Sequence, residues 1–157
     1  MNKILLILVG GTICTSLNKE GNLSVSDQAG VLLTSKFLQS DSPYAGRVSF
    51  DVTENLHLLS ENMTIGNWNR ILAVYGKYTG AKEYDGVVIA HGTDTLAYSA
   101  ALLSMVLSDT NVPVMLVSAN ENLQSSTTNG NDNFRAAVEC ICEGIVPNVY
   151  VTFVAPL

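Results

Sequence analysis

Residues 86–90, Gly-Val-Val-Ile-Ala, carry no polar side chain, and His91-Gly92-Thr93-Asp94-Thr95 follows them directly. A strand with one wet face alternates apolar and polar residues. An unbroken apolar run of this length belongs to a strand covered on both faces, as in a parallel α/β sheet. The first strand, expected over residues 3–9, is apolar throughout after Lys3, and residues 112–117 read the same way. At the carboxyl end of such a strand the chain must turn, and ligands bind there. The turn at 91–95 holds two hydroxyls, a carboxylate and an imidazole. Gly92 lets the backbone approach a ligand closely, and Thr95 or Asp94 can cap the helix that the pattern predicts over residues 96–107.

Between the apolar runs the period changes from two to 3.6. Leu96, Ala100, Leu103 and Leu107 form one stripe. Ile65, Trp68, Ile71, Leu72 and Tyr75 form another, behind a capping Thr64. Residues 29–38 read as a helix. A further helix begins at Asp132 or Asn133 with Phe134, Ala137, Val138 and Ile141 turned inward. Val48, Phe50 and Val52 alternate with Ser49 and Asp51, a half-buried strand predicted to continue through residues 56–59. A last strand is expected over 149–154. Residues 17–28 are polar and read as a mobile excursion, and residues 124–131 as a polar loop. Strands alternating with helices specify an open, mainly parallel sheet flanked by helices on both faces. No internal repeat is present.

Composition narrows the function. The chain has 157 residues, 47% hydrophobic and 14% charged, which suits one domain with a substantial core and argues against disorder. Its net charge is −6, and its eight Lys and Arg are scattered, so no nucleic acid and no anionic membrane surface is expected as a partner. Cys14, Cys140 and Cys142 are odd in number, and the last two lie two apart in a predicted helix. Neutral thiols in a reducing cytoplasm fit better than a disulfide framework. Met1-Asn2-Lys3 followed by six apolar residues imitates a secretory signal, but the run is short and reads as the first strand. No stretch is long enough for a transmembrane span. Too few Cys and His are present for a structural zinc site.

Three strand-end turns hold the reactive groups: residues 10–15 (Gly-Gly-Thr-Ile-Cys-Thr), 60–62 (Ser-Glu-Asn) and 91–95. A fourth, 118–120 (Ser-Ala-Asn), can join them. A parallel sheet brings all of these to one edge. The glycine-rich first turn lacks the G-x-G-x-x-G spacing and the Walker lysine, so nucleotide binding has little support. Hydroxyls (Thr12, Ser60, Thr93), carboxylates (Glu61, Asp94) and glycine backbone N–H groups suit acyl transfer: a nucleophile, a proton acceptor and donors for an oxyanion. A threonine hydroxyl is a poor nucleophile without a base relay. Each residue also has a bland reading. Thr12, Thr93 and Asp94 can serve as caps, Ser60 and Glu61 as a solvated turn, His91 as a structural hydrogen-bonding residue, and Trp68 and Tyr75 as core aromatics.

Gly10-Gly11-Thr12-Ile13 after the first strand and His91-Gly92-Thr93-Asp94-Thr95 after a later one resemble the two signatures of bacterial-type L-asparaginases. Ser60-Glu61-Asn62-Met63 resembles the family's substrate-carboxylate turn between them. The resemblance covers the whole chain, residues 1–157, as the family's amino-terminal domain, a flavodoxin- or Rossmann-like three-layer unit. It implies hydrolysis of L-asparagine, with glutamine as a second amide substrate, to the acid and ammonia without a cofactor or metal. It assigns Thr12 as the nucleophile, and Thr93 and Asp94 as a second group that handles protons and positions water. Ser60 is assigned to the substrate α-carboxylate, and Glu61 and Asp94 to its α-amino group. The backbone around Gly11, Gly92, Thr93 and Ala119 is assigned to the pocket and oxyanion site. It further implies a cytoplasmic homo-oligomer, a dimer or tetramer.

The departures are specific. The family's third proton-handling residue is a lysine beyond the last strand, but no lysine follows Lys82 here. The loop tyrosine that orients the nucleophile has no counterpart at Gly21-Asn22-Leu23. Asn120-Glu121 stands where Arg-Pro is usual. The smaller carboxyl-terminal domain is not found, so the chain by itself is expected to be an incomplete or inactive fragment. The competing expectation is a non-catalytic module that binds a small amino acid.

Overall fold

The computed structural model describes residues 1–17, 23–25 and 28–154. The strands in chain order are β1 (Asn2–Leu8), β2 (Thr15–Leu17), β3 (Leu23–Val25), β4 (Val48–Val52), β5 (Gly86–Ala90), β6 (Val114–Val117) and β7 (Val149–Thr152). Five of them form a parallel sheet in the order β4-β1-β5-β6-β7. The register pairs Ile4 with Gly86, Ile89 with Leu116 and Leu116 with Val151. Helices α1 (Ala29–Leu38) and α4 (Gly130–Cys142) cover one face, and α2 (Ile65–Thr79) and α3 (Leu96–Val106) the other.

The unbroken apolar runs feed two cores at once. Along β1, Ile4, Leu6 and Leu8 pack with Leu33, Phe37, Phe134 and Ile141. Leu5 and Ile7 pack with Ile71, Leu103 and Leu116 on the other face. β5 divides the same way, Val88 and Ala90 to one side, Val87 and Ile89 to the other. Each fully buried Leu, Ile or Val contributes roughly 1.5–3 kcal/mol, so the central strands anchor both layers. Gly86 opens β5 because Ile141 of α4 crosses it, and a Cβ there would lie 2.7 Å from the Ile141 side chain.

Several boundaries differ from the pattern-based reading, each for a local reason. The expected strand over 56–59 does not form. The Asn55 side-chain carbonyl accepts from the His57 N–H, His57 turns to φ 53°, and only one bridge, Leu58 with Gly10, survives. β6 begins at Val114 rather than Val112, since Pro113 has no N–H to donate to the ladder. β7 stops at Thr152 because side chains of α4 and its cap take over: Val154 donates its N–H to Asn133 Oδ1 and accepts from Asn129 Nδ2. α4 starts at Gly130, with Asn129 as its N-cap, ahead of the expected start. Thr64 caps α2 by accepting from the Asn67 N–H, but Ile65 is 74% exposed and does not belong to its inner stripe. Within the expected excursion, β2 and β3 pair antiparallel, Thr15 with Val25 and Leu17 with Leu23. Residues 18–22 and 26–27 of it, and 155–157, lie outside the described residues.

No helix among the described residues is long and apolar enough to cross a membrane. Cys14, Cys140 and Cys142 are free thiols. Burial pushes Cys14 up to about 12, so it stays protonated.

Candidate active site

The chain moves from β1 outward to β4 on one side, then returns past β1 to β5, β6 and β7 on the other. The direction of winding therefore reverses between β1 and β5. At such a switch point the two strand-end loops diverge and leave a crevice. The turns after β1 and β5 are the first and last of the three chemically dense turns.

After β1 the chain passes Gly10 (φ 138°) and Gly11 (φ 74°) into a short 3₁₀ turn, Thr12–Cys14. The turn is closed by the Cys14 N–H donating to the Gly11 carbonyl at 2.9 Å, and the Thr15 hydroxyl donates to the Thr12 carbonyl at 2.8 Å. A Cβ on Gly10 would overlap the Leu58 carbonyl, and one on Gly11 would overlap the Gly92 Cα. Both glycines are thus demanded by dihedral and by space. Thr12 is half-buried.

After β5, Asp94 lies two residues before α3, where the helix amino terminus favours a carboxylate. Thr95 occupies the N-cap position of α3, but its hydroxyl makes no cap bond; it donates instead to the Ser60 carbonyl at 2.9 Å. Ser60 opens the 3₁₀ turn Ser60–Asn62 and is 4% exposed. Its hydroxyl donates to Asp94 Oδ2 at 2.7 Å and stands 3.4 Å from the Asp94 N–H. The two turns are therefore stitched by side chain and backbone, although they come from different crossovers. Gly92 makes room for this: a Cβ there would overlap the Ser60 hydroxyl.

Gly11, Thr12, Ser60, Glu61 and Asp94 line one open cavity of about 460 Å³, with Thr15 and Leu59 completing its wall. Among the described residues its titratable lining is two carboxylates, Glu61 and Asp94, so their field favours a cation such as an ammonium group. Gly92 is buried behind this wall, against Gly11 and Ser60. Thr93 is exposed beside Asp94 and is not part of the lining. Ala119 is fully buried in the core under α4, its methyl 2.8 Å from where a Cβ of Gly130 would lie. Thr15 and Leu59 were not singled out by the residue pattern. Thr15 had a signal, a second hydroxyl three residues after Thr12; Leu59 had none.

His91 lies behind the turn and is fully buried. Its Nδ1 is 2.7 Å from the Gly92 carbonyl and its Nε2 2.8 Å from the Ser99 hydroxyl, which takes a 2.8 Å bond from the Trp68 indole N–H. Burial holds its pKa below the ordinary histidine value. Among the described residues no three His, Cys, Asp or Glu come together as a metal-binding group.

A hydroxyl, a carboxylate-bound serine and two carboxylates in one crevice suit a small zwitterion. A family model described as Asparaginase, N-terminal matches residues 3–156. The chain is 28% identical over 152 residues to the L-asparaginase of Thermococcus kodakarensis, covering 96% of this chain and 44% of that protein. The solved structure titled the thermostable L-asparaginase from Thermococcus kodakarensis aligns with a TM-score of 0.80 over 96% of this chain. Identity reaches 35% over 151 residues with a glutamyl-tRNA(Gln) amidotransferase subunit from Haloquadratum walsbyi, covering 95% of this chain and 31% of that protein. The chain thus spans less than half the length of these relatives.

Proposed function

The chain belongs to the asparaginase family, matching its amino-terminal domain, and on that premise we propose that residues 1–157 carry the nucleophile and amino-acid pocket of an amidohydrolase that cleaves L-asparagine to L-aspartate and ammonia. One observation carries the reading: Thr12 and Asp94 line the same cavity, and Asp94 is tied there by Ser60. In this reading the Thr12 hydroxyl oxygen attacks the side-chain amide carbon. The carbon–nitrogen bond breaks, ammonia leaves with the hydroxyl proton, and water then attacks the ester, freeing aspartate and restoring the hydroxyl. Thr93 and Asp94 belong to the proton-handling group. Glu61 and Asp94 face the substrate ammonium, and Ser60 its carboxylate. The backbone at Gly11 and Thr93 supplies N–H donors to the oxyanion.

The cavity charge supports the ammonium assignment, since the carboxylates of Glu61 and Asp94 attract a cationic group. The same amide cleavage would serve an ammonia-supplying component of a larger enzyme, in keeping with the relative named as part of an amidotransferase. Glutamine differs from asparagine by one methylene, which a pocket discriminates by only about 1–3 kcal/mol. A cytoplasmic homo-oligomer working without cofactor completes the proposal.

The test is ammonia release from L-asparagine by the full-length protein. Thr12→Ala and Thr93→Val should each abolish it while L-aspartate still binds Thr12→Ala. Full activity in both variants would end the hydrolase reading. Binding of aspartate with no ammonia release by the unaltered protein would leave an amino-acid-binding module.

A further inference from the structure

One of the buried polar systems that the cavity lining leaves unused ends on the backbone of the second signature turn. Trp68 on α2, Ser99 on α3 and His91 after β5 form a chain of hydrogen bonds of 2.8, 2.8 and 2.7 Å that terminates at the Gly92 carbonyl. Ser99 and His91 are fully buried. Burial favours the neutral imidazole, and the direction of the protons then follows from the two ends. An indole N–H can only donate and a carbonyl can only accept. Ser99 therefore accepts from Trp68 and donates its own proton to His91 Nε2, and His91 donates from Nδ1 to Gly92. In the neutral ring no member has a choice, so it is a single tautomer with its proton on Nδ1.

The carbonyl that receives this bond belongs to the Gly92–Thr93 peptide. Every described peptide bond is trans, so the Thr93 N–H points opposite to the Gly92 carbonyl. A carbonyl drawn down to the buried ring turns that N–H away from the ring, to the side on which Thr93 and Asp94 are exposed. Among the described residues no backbone or side-chain acceptor takes it. Gly92 itself cannot swing, because its Cα lies against Gly11.

We propose that His91, held by Ser99 and Trp68, is a positioning residue that sets the Gly92–Thr93 peptide plane and so aims the Thr93 N–H at the oxyanion of the amide-cleavage step. The role in turnover rests on the hydrolase reading above; the orientation of the peptide does not. Two substitutions separate the ends of the imidazole. Asparagine places an amide N–H where Nδ1 lies and keeps the bond to Gly92. Glutamine reaches only to Nε2, keeps Ser99 and loses Gly92.

The experiment pairs nuclear magnetic resonance with kinetics on the full-length protein. In the unaltered protein the His91 Nδ1 should carry the proton and Nε2 should be bare. The Thr93 amide resonance should move in His91→Gln and stay near its place in His91→Asn. His91→Gln should lower kcat by roughly 10- to 100-fold with KM changed less than about threefold, and His91→Asn should recover most of that loss. Ser99→Ala, which preserves the ring, should mix the tautomers and give an intermediate kcat, and it serves if His91→Gln does not fold. A proton on Nε2, an unmoved Thr93 resonance in His91→Gln, or equal kcat in the Gln and Asn variants overturns the proposal. If the unaltered protein releases no ammonia, the hydrolase reading falls, and the tautomer and Thr93 resonances alone decide the positioning.

Discussion

Gly11 and Gly92 meet backbone to backbone: a Cβ on Gly11 would fall on the Gly92 Cα and 2.6 Å from the Gly92 nitrogen. One glycine ends the loop after β1 and the other begins the loop after β5, so this touch brings the two signatures into one crevice. Gly11→Ala combines a left-handed φ with a collision against main chain, which cannot yield as a side chain can. It should cost about 2–4 kcal/mol of unfolding free energy in urea. Gly46→Ala, where open space surrounds the added methyl, should change stability by less than about 1 kcal/mol and is the matched control.

Ser60 tests the stitch between the second and third turns. Ser60→Ala removes the hydrogen bond to Asp94 without adding bulk. Stability should fall by about 1 kcal/mol, and L-aspartate affinity should weaken by roughly tenfold as Asp94 loses its anchor. Ser60→Val should be worse in both assays, because it sets two methyl groups at a 4%-exposed site packed against Gly92. Calorimetric titration with L-aspartate is the measurement; unchanged affinity in Ser60→Ala would count against the pocket assignment.

The buried imidazole predicts a pH dependence of stability. Burial lowers the His91 pKa below its unfolded value of about 6.5. Below about pH 6.5 the unfolded chain therefore binds a proton that the folded ring does not, and stability falls as the pH falls. The slope from one such proton is at most about 1.4 kcal/mol per pH unit. Denaturant midpoints between pH 7 and 5 should show it in the unaltered protein and lose most of it in His91→Asn.

Asp51 predicts a second, more acidic window far from the cavity. Lys82 and Tyr84 donate to its Oδ2 at 2.9 and 2.8 Å, and Lys3 lies 3.4 Å away. These partners, Lys82 foremost, bring its pKa down to about 2. A depressed carboxylate stabilises the fold above its unfolded pKa near 4, and that contribution is lost as pH falls from about 4 toward 2. With solvent screening at this partly exposed site, Asp51→Asn should cost on the order of 1 kcal/mol near neutral pH and little at pH 2. A constant difference across that range would contradict the ion cluster.

Much of the fold was legible because burial on both faces leaves a mark in every residue of a strand. β1 and β5 could be read from their unbroken apolar runs, and α3 from Leu96, Ala100, Leu103 and Leu107. Where side chains take over backbone hydrogen bonds, the pattern misled. Leu56 to Leu59 look like a strand, but the Asn55 turn and the positive φ of His57 prevent one. Nothing local to Thr152 announces that Asn133 and Asn129 will take over the backbone at Val154.

The same division runs through the site. Local sequence determined which residues stand at strand ends, because hydrophobic periodicity and turn chemistry act over a few residues at a time. The order of strands across the sheet decided which of those turns share a crevice, and no stretch of a few residues encodes that order. Chain winding outward to β4 and back past β1 put Thr12, Ser60 and Asp94 on one wall, left Ala119 inside the core, and placed Trp68 and Ser99 beneath His91. Packing of whole helices against a twisted sheet is a long-range balance of buried area, and only the assembled structure settles it.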